Sequence, residues 1–201
     1  MSETKRIEAE KLAKRLNGFF HALFGAWLGM TAVFWLQAWG PMRSYAEDQA
    51  QVSVPLWFAA SVAAGMSSIL LPSSYYAIKN PASAARRFER FGIRRLRYWI
   101  TDGDLVRLRV RRIDPSFVED GHRRALEDRL LLTRNNERAH LGFLAFGVVS
   151  AVAAGITGWW SWAIAITLGN VAVNLLPVFL QRYTRARIAR LMARRTSTAT
   201  T

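Results

Sequence analysis

Residues 141–181 read LGFLAFGVVSAVAAGITGWWSWAIAITLGNVAVNLLPVFLQ, 41 residues without a single Lys, Arg, Asp or Glu. A helix needs about 20 apolar residues to cross the hydrocarbon layer of a bilayer. This stretch is long enough for two crossings, at about 141–159 and 162–181, joined by a tight turn around TGWWSW. Two other charge-free stretches, 18–40 and 52–78, are each long enough to cross once. The expectation is an all-α polytopic membrane protein with four transmembrane helices, a single integral membrane domain over residues 1–201.

The charges lie between those stretches. The chain carries 28 Lys or Arg against 14 Asp or Glu, a net +14, which in a soluble protein would point to nucleic acid or an anionic surface. Its distribution argues against nucleic acid. Basic residues number five in residues 1–17, sixteen in 79–140 and six in 181–201, against Arg43 alone in 41–51 and none in the turn near Gly158. Loops rich in Lys and Arg stay cytoplasmic. Both termini and the segment 79–140 are therefore expected on the cytoplasmic side of the inner (plasma) membrane, where their charge meets anionic lipid. The chain has no cysteine, which removes disulfides, thiolate nucleophiles and thiolate metal sites.

Within the cytoplasmic segment, ASAARRFERFGIRRLRYWI (residues 82–100) places aromatic residues and arginines on different positions of a helix. It reads as one amphipathic helix lying partly in the interface. TDGDL is a turn at Asp102–Gly103, RRIDPSF breaks at Pro115, and the helix after it is expected to run without a break into the third span. In the first span, Gly25 and Gly29 form a small-xxx-small pattern that permits close helix packing.

Two groups of residues bear chemistry. If 133–144 is helical, Thr133, Glu137 and His140 share one face at the entrance to the apolar run. An imidazole is the usual general base, a nearby carboxylate can orient it, and Arg134 and Arg138 can bind a carboxylate or phosphate. The same cluster also suits a solvated interfacial anchor, and spacing leaves both readings open. In the last span Thr167, Asn170, Asn174 and Gln181 lie along one side, so the two asparagines face a partner inside the bundle or a polar cavity. Pro177 is expected to kink that helix, and Gln181, Arg182, Tyr183, Arg185 and Arg187 follow it. A Glu-x-x-His pair also occurs in di-iron bundles, but in two copies with further glutamates, and the other histidines here, His21 and His122, stand in no such motif. No metal site is expected.

WITDGDL, LTRNNERAH before a span, and NLLPVFLQRYTRARIARL at the end of the last one together resemble the glycosyl-4,4'-diaponeurosporenoate acyltransferases, integral membrane enzymes of carotenoid glycolipid synthesis. The likeness covers roughly residues 95–191 and rests on Thr133, Arg134, Glu137 and His140, then Asn174, Pro177, Gln181, Arg182, Tyr183, Arg185 and Arg187, with Asp102–Gly103 as a third element. Leu141 and Thr184 stand where the family commonly has an aromatic residue and an asparagine.

The resemblance implies transfer of a fatty acyl group to a sugar hydroxyl of a membrane glycolipid such as a glycosylated carotenoid. Glu137 and His140 would be catalytic; Asp102, Arg134, Arg138, Asn170, Asn174, Gln181, Arg182, Tyr183 and Arg185 would bind substrate. The donor would be an acyl thioester on coenzyme A or acyl carrier protein, with no bound cofactor. The competing reading is a non-catalytic membrane lipid-binding or assembly protein that uses the same basic surface as an anchor.

Overall fold

The computed structural model describes residues 3–39, 53–98, 104–116 and 126–199, and among these every regular element is helical. In chain order they are α1 (Glu3–Trp39), α2 (Val54–Met66), α3 (Pro81–Arg90), α4 (Ile93–Tyr98), α5 (Asp104–Ile113), α6 (Leu126–Ile156), α7 (Trp160–Asn170) and α8 (Leu176–Ala199). Two 3-10 turns, Ser67–Leu70 and Ser73–Tyr76, follow α2, and a π-turn over Val171–Leu175 joins α7 to α8.

Three helices are long and apolar enough to cross a membrane: Glu3–Trp39, Leu126–Ile156 and the continuous run Trp160–Ala193. The second apolar stretch, read from the sequence as a span over 52–78, instead makes the shorter apolar helix Val54–Leu70. It tightens into 3-10 geometry at Ser67, whose hydroxyl donates back to the Ala64 carbonyl at 2.7 Å, and it stops before Pro72 in extended conformation. The helix expected over 82–100 is also two helices. Asn80 caps α3 by accepting from the Ser83 N–H at 3.2 Å, Pro81 sits at its first turn, and Gly92 breaks the run at φ 74°. Only glycine takes that backbone angle without strain. By contrast α6 runs unbroken from the polar cluster into the apolar stretch, as its pattern implied.

The chain separates into two compact units: 1–23 with 78–134 and 179–201, and 24–77 with 135–178. All but five of the charged residues belong to the first. Ala9 and Ala13 of α1 pack there on Val106 and Val110 of α5, while Ala85, Ile93, Tyr183 and Ala186 form a second small core. Phe88, one of the aromatic residues of the stretch expected to lie partly in the interface, packs against this second core and lies 6.4 Å from the Phe179 ring, whereas Phe91 is 88% exposed.

The second unit is inverted relative to a soluble protein. Its buried polar side chains include Thr31, Ser61, Ser150, Glu137, Asn170 and Asn174, while Leu36, Leu56, Ile164 and Leu168 stand outward. Apolar outside and polar inside is what a hydrocarbon solvent selects, so this is a membrane protein. Phe34, Trp35, Ala153, Ala154, Ala163 and Ile166 form its apolar core. Trp27 Nε1 donates to the Ile166 carbonyl at 3.2 Å and Trp35 Nε1 to Ser150 Oγ at 3.1 Å, tying α1 to α7 and to α6. Nothing in the structure lies within 4 Å of a side chain placed at Gly25 or Gly29, so close packing among the described residues does not use that pair.

Candidate functional site

Glu137 and Arg138 are the only charged residues among the described residues of the apolar unit. Glu137 is fully buried. Arg138 donates from Nη2 to the Leu71 carbonyl at 3.4 Å and stands 5.5 Å over the Tyr76 ring, so a cation–π contact and a carbonyl share its charge. Two residues on, His140 lies half-buried, with the edge of Phe24 against it at 6.3 Å between ring centres.

His140 Nδ1 is 3.3 Å from Asn174 Oδ1. Asn174 Nδ2 donates to Asn170 Oδ1 at 2.8 Å, and Asn170 Nδ2 donates to the Leu144 carbonyl at 2.9 Å. The far end of this relay fixes its direction. A peptide carbonyl can only accept, so Asn170 must point its amide nitrogen there and its oxygen at Asn174. Asn174 in turn presents oxygen to the imidazole. A neutral His140 therefore carries its proton on Nδ1 and keeps a lone pair on Nε2, the form a general base needs.

Local sequence builds this relay. Asn170 and Asn174 are one turn apart on buried positions, and the π-turn between them realigns the chain just before Pro177. Leu176 N–H bonds to the Val171 carbonyl five residues back, and Pro177 has no N–H for the Val173 carbonyl four residues back. On the facing helix Gly147 makes room: a Cβ there would sit 2.5 Å from Asn170 Nδ2, closer than any real contact. In the same unit, an apolar groove of about 400 Å³ is lined by Leu28, Val62, Ile69, Ala139, Phe143 and Phe146.

The remaining expected site residues divide by unit. Thr133 is buried in the charged unit with its hydroxyl donating to the Leu130 carbonyl, and Arg134 is half-buried nearby in sequence. Gln181 and Arg182 are half-buried, and Arg185 is buried. Tyr183 is buried and donates to Glu89 Oε1 at 3.1 Å, where Arg94 also pairs at 3.0 Å. Arg94 and then Tyr183, hydrogen-bonded to that carboxylate, hold Glu89 below the usual carboxylate range. Asp102 lies outside the described residues. Thr167, aligned with the asparagines in sequence, bonds back to the Ala163 carbonyl and takes no part in the relay.

Sequence reasoning gave the orienting role on His140 to Glu137; the hydrogen bond on Nδ1 belongs to Asn174. It missed Gly147, whose signal is only its absence of side chain, and the cavity of about 430 Å³ in the charged unit walled by Glu89, Arg94, Arg97, Asp104, Tyr183, Arg187 and Arg190. Among the described residues no three His, Asp or Glu side chains gather as a metal site.

The model of one protein family, described as glycosyl-4,4'-diaponeurosporenoate acyltransferase, matches residues 72–194 of the chain. The matched segment contains the whole relay, its glycine and the arginine-walled cavity. No curated protein and no solved structure matches.

Proposed function

This chain belongs to the glycosyl-4,4'-diaponeurosporenoate acyltransferase family, and from that membership we propose that it moves a fatty acyl group from an acyl thioester to a sugar hydroxyl of a membrane glycolipid, with His140 as the base. The observation that supports the base assignment is the relay from Leu144 through Asn170 and Asn174, which places the proton of a neutral His140 on Nδ1 and so the lone pair on Nε2.

In the reaction, Nε2 takes the proton of the sugar hydroxyl as its oxygen attacks the thioester carbonyl. A C–O bond forms, the tetrahedral intermediate collapses, the C–S bond breaks, and the imidazolium returns its proton to the departing thiolate. Asn174 holds the ring, and the buried Glu137 one turn earlier lowers the cost of the transient imidazolium. Arg138 faces the developing oxyanion or the donor. The groove lined by Leu28, Val62, Ile69 and Phe143 accommodates hydrocarbon from the acyl chain or the acceptor. With no cysteine in the chain, direct attack on the thioester is more economical than a covalent acyl-enzyme.

The site lies at the cytoplasmic face of the inner membrane, with both termini cytoplasmic and the segment 79–140 partly interfacial. Four crossings fit this reading despite the short second helix. Thirteen α-helical and four 3-10 residues extend about 28 Å, close to the ~30 Å hydrocarbon thickness.

Lipid mass spectrometry on cells lacking the gene, complemented with wild type or His140→Gln, tests the proposal. A glycolipid that loses one acyl group in the deletion and regains it only with wild type supports it and names the acceptor. Full restoration by His140→Gln would instead support a non-catalytic lipid-binding or assembly protein.

A further inference from the structure

The cavity of about 430 Å³ in the charged unit is drawn from four helices: Glu89 of α3, Arg94 and Arg97 of α4, Asp104 of α5, and Tyr183, Arg187 and Arg190 of α8. Its charges are not balanced. Glu89 is occupied by Arg94 at 3.0 Å and by the Tyr183 hydroxyl at 3.1 Å. Asp104 is occupied by Arg97 at 3.3 Å. Arg187 and Arg190, one turn apart on α8, have no carboxylate within ion-pair distance among the described residues. Arg187 lies 5.7 Å from the Tyr183 ring centre, which steadies its guanidinium without neutralising it. Four arginines against two carboxylates leave the cavity with two positive charges in excess, both on the α8 side.

Two guanidiniums on one wall match the oxygens of a phosphate, because each presents a planar fork of donors. The excess matters as much as the geometry. A phosphodiester, as in a lipid headgroup or the arm of a carrier protein, brings one negative charge, whereas a phosphate monoester brings nearly two at neutral pH. The volume is that of a small-molecule pocket. We propose that this cavity binds a phosphate monoester, the phosphorylated nucleotide end of an acyl-coenzyme A donor. The inference rests on the acyl-transfer reading for the donor's identity, but the phosphate site itself rests on the charge count and the four walls.

The test is direct binding, without turnover, of coenzyme A to the purified full-length protein in uncharged detergent. Arg187→Gln with Arg190→Gln is expected to weaken coenzyme A binding about tenfold or more, as loss of two charge-assisted contacts requires. For the unaltered protein, 3'-dephospho-coenzyme A should bind more weakly by a similar factor, and for the double variant the two ligands should bind alike. Arg190→Gln alone, which leaves the Tyr183 stacking intact, should give part of the loss with an unchanged melting temperature. Binding of coenzyme A within twofold of wild type in the double variant overturns the site. Displacement of coenzyme A by phosphatidylglycerol micelles, with the same dependence on Arg187 and Arg190, overturns the nucleotide assignment in favour of a lipid phosphate.

The two readings fail separately. His140→Gln should bind coenzyme A as wild type does while losing transfer. A protein that binds through Arg187 and Arg190, yet leaves cellular glycolipids unchanged, keeps the cavity and overturns the acyl-transfer reading.

Discussion

Two polar networks in this molecule are built from different materials. In the apolar unit the links are an imidazole, two carboxamides and a peptide carbonyl, none of them a permanent charge. In the charged unit the links are a carboxylate, a guanidinium and a phenol, with further arginines at hand. The contrast follows from solvent. An ion costs several kcal/mol to bury in low dielectric, so a relay beside hydrocarbon is cheapest when neutral. Where water reaches, ion pairs are tolerated and contribute little to stability.

The sharpest way to break the comparison is to remove the one member of the neutral relay that titrates. His140→Gln should reduce acyl transfer about 10²- to 10⁴-fold at unchanged protein level, read by glycolipid product per unit of purified protein. Next in size, Asn174→Ala removes the middle link and leaves Asn170 Oδ1 and His140 Nδ1 to find other partners. Thermal unfolding in detergent should show a loss of about 1–3 kcal/mol, with activity falling further than stability.

Gly147→Ala approaches the same relay from its packing. The new Cβ meets Asn170 Nδ2 at 2.5 Å and Trp27 Cζ2 at 2.8 Å, which should cost about 1–3 kcal/mol of overpacking. It should also lower activity without touching a polar atom. An unaltered rate in that variant would mean that Asn170 does not hold Asn174 in place.

In the charged unit the effects are smaller. Tyr183→Phe deletes the hydroxyl on Glu89 and should lower the melting temperature slightly while leaving transfer dependent on His140. The smallest effect is in acid. Glu89 has a carboxyl held below its ordinary value of 4.5 by Arg94, so its contribution to stability is complete above that value and disappears as pH falls through the lower folded value. Melting curves of wild type should therefore lose a little stability in the window below 4.5 that Glu89→Gln does not lose. A parallel decline in both would show that other carboxylates account for the acid sensitivity.

What was legible in the sequence follows the same division. The charge-free runs are long-range composition, so helices α1, α6 and the α7–α8 run were readable as helices long and apolar enough to cross a membrane. The polar residues they bury were readable too, because Asn170 and Asn174 in such a run must face partners. Which partner was not readable. Glu137 lies three residues from His140 in the chain, but Asn174, 34 residues away, takes the imidazole. The space for Asn170 depends on a glycine whose role exists only once two helices touch. The second apolar stretch had the length of a span and ended early at Ser67 and Pro72, a local backbone effect that hydropathy does not register. The arginine-walled cavity was the least visible. Its members fall on four helices spread over more than a hundred positions, and in the sequence they looked like ordinary topology charges.

The relay that ends on the Leu144 carbonyl is a blind alley for protons. Carboxamides and peptide carbonyls do not titrate in the working range, so a proton accepted by His140 has no route down the chain of hydrogen bonds and away. It can leave only by the nitrogen through which it came. In the proposed reaction such a base has one door: a proton lifted from the acceptor hydroxyl would go back to the departing thiolate, with no conduction through the membrane interior.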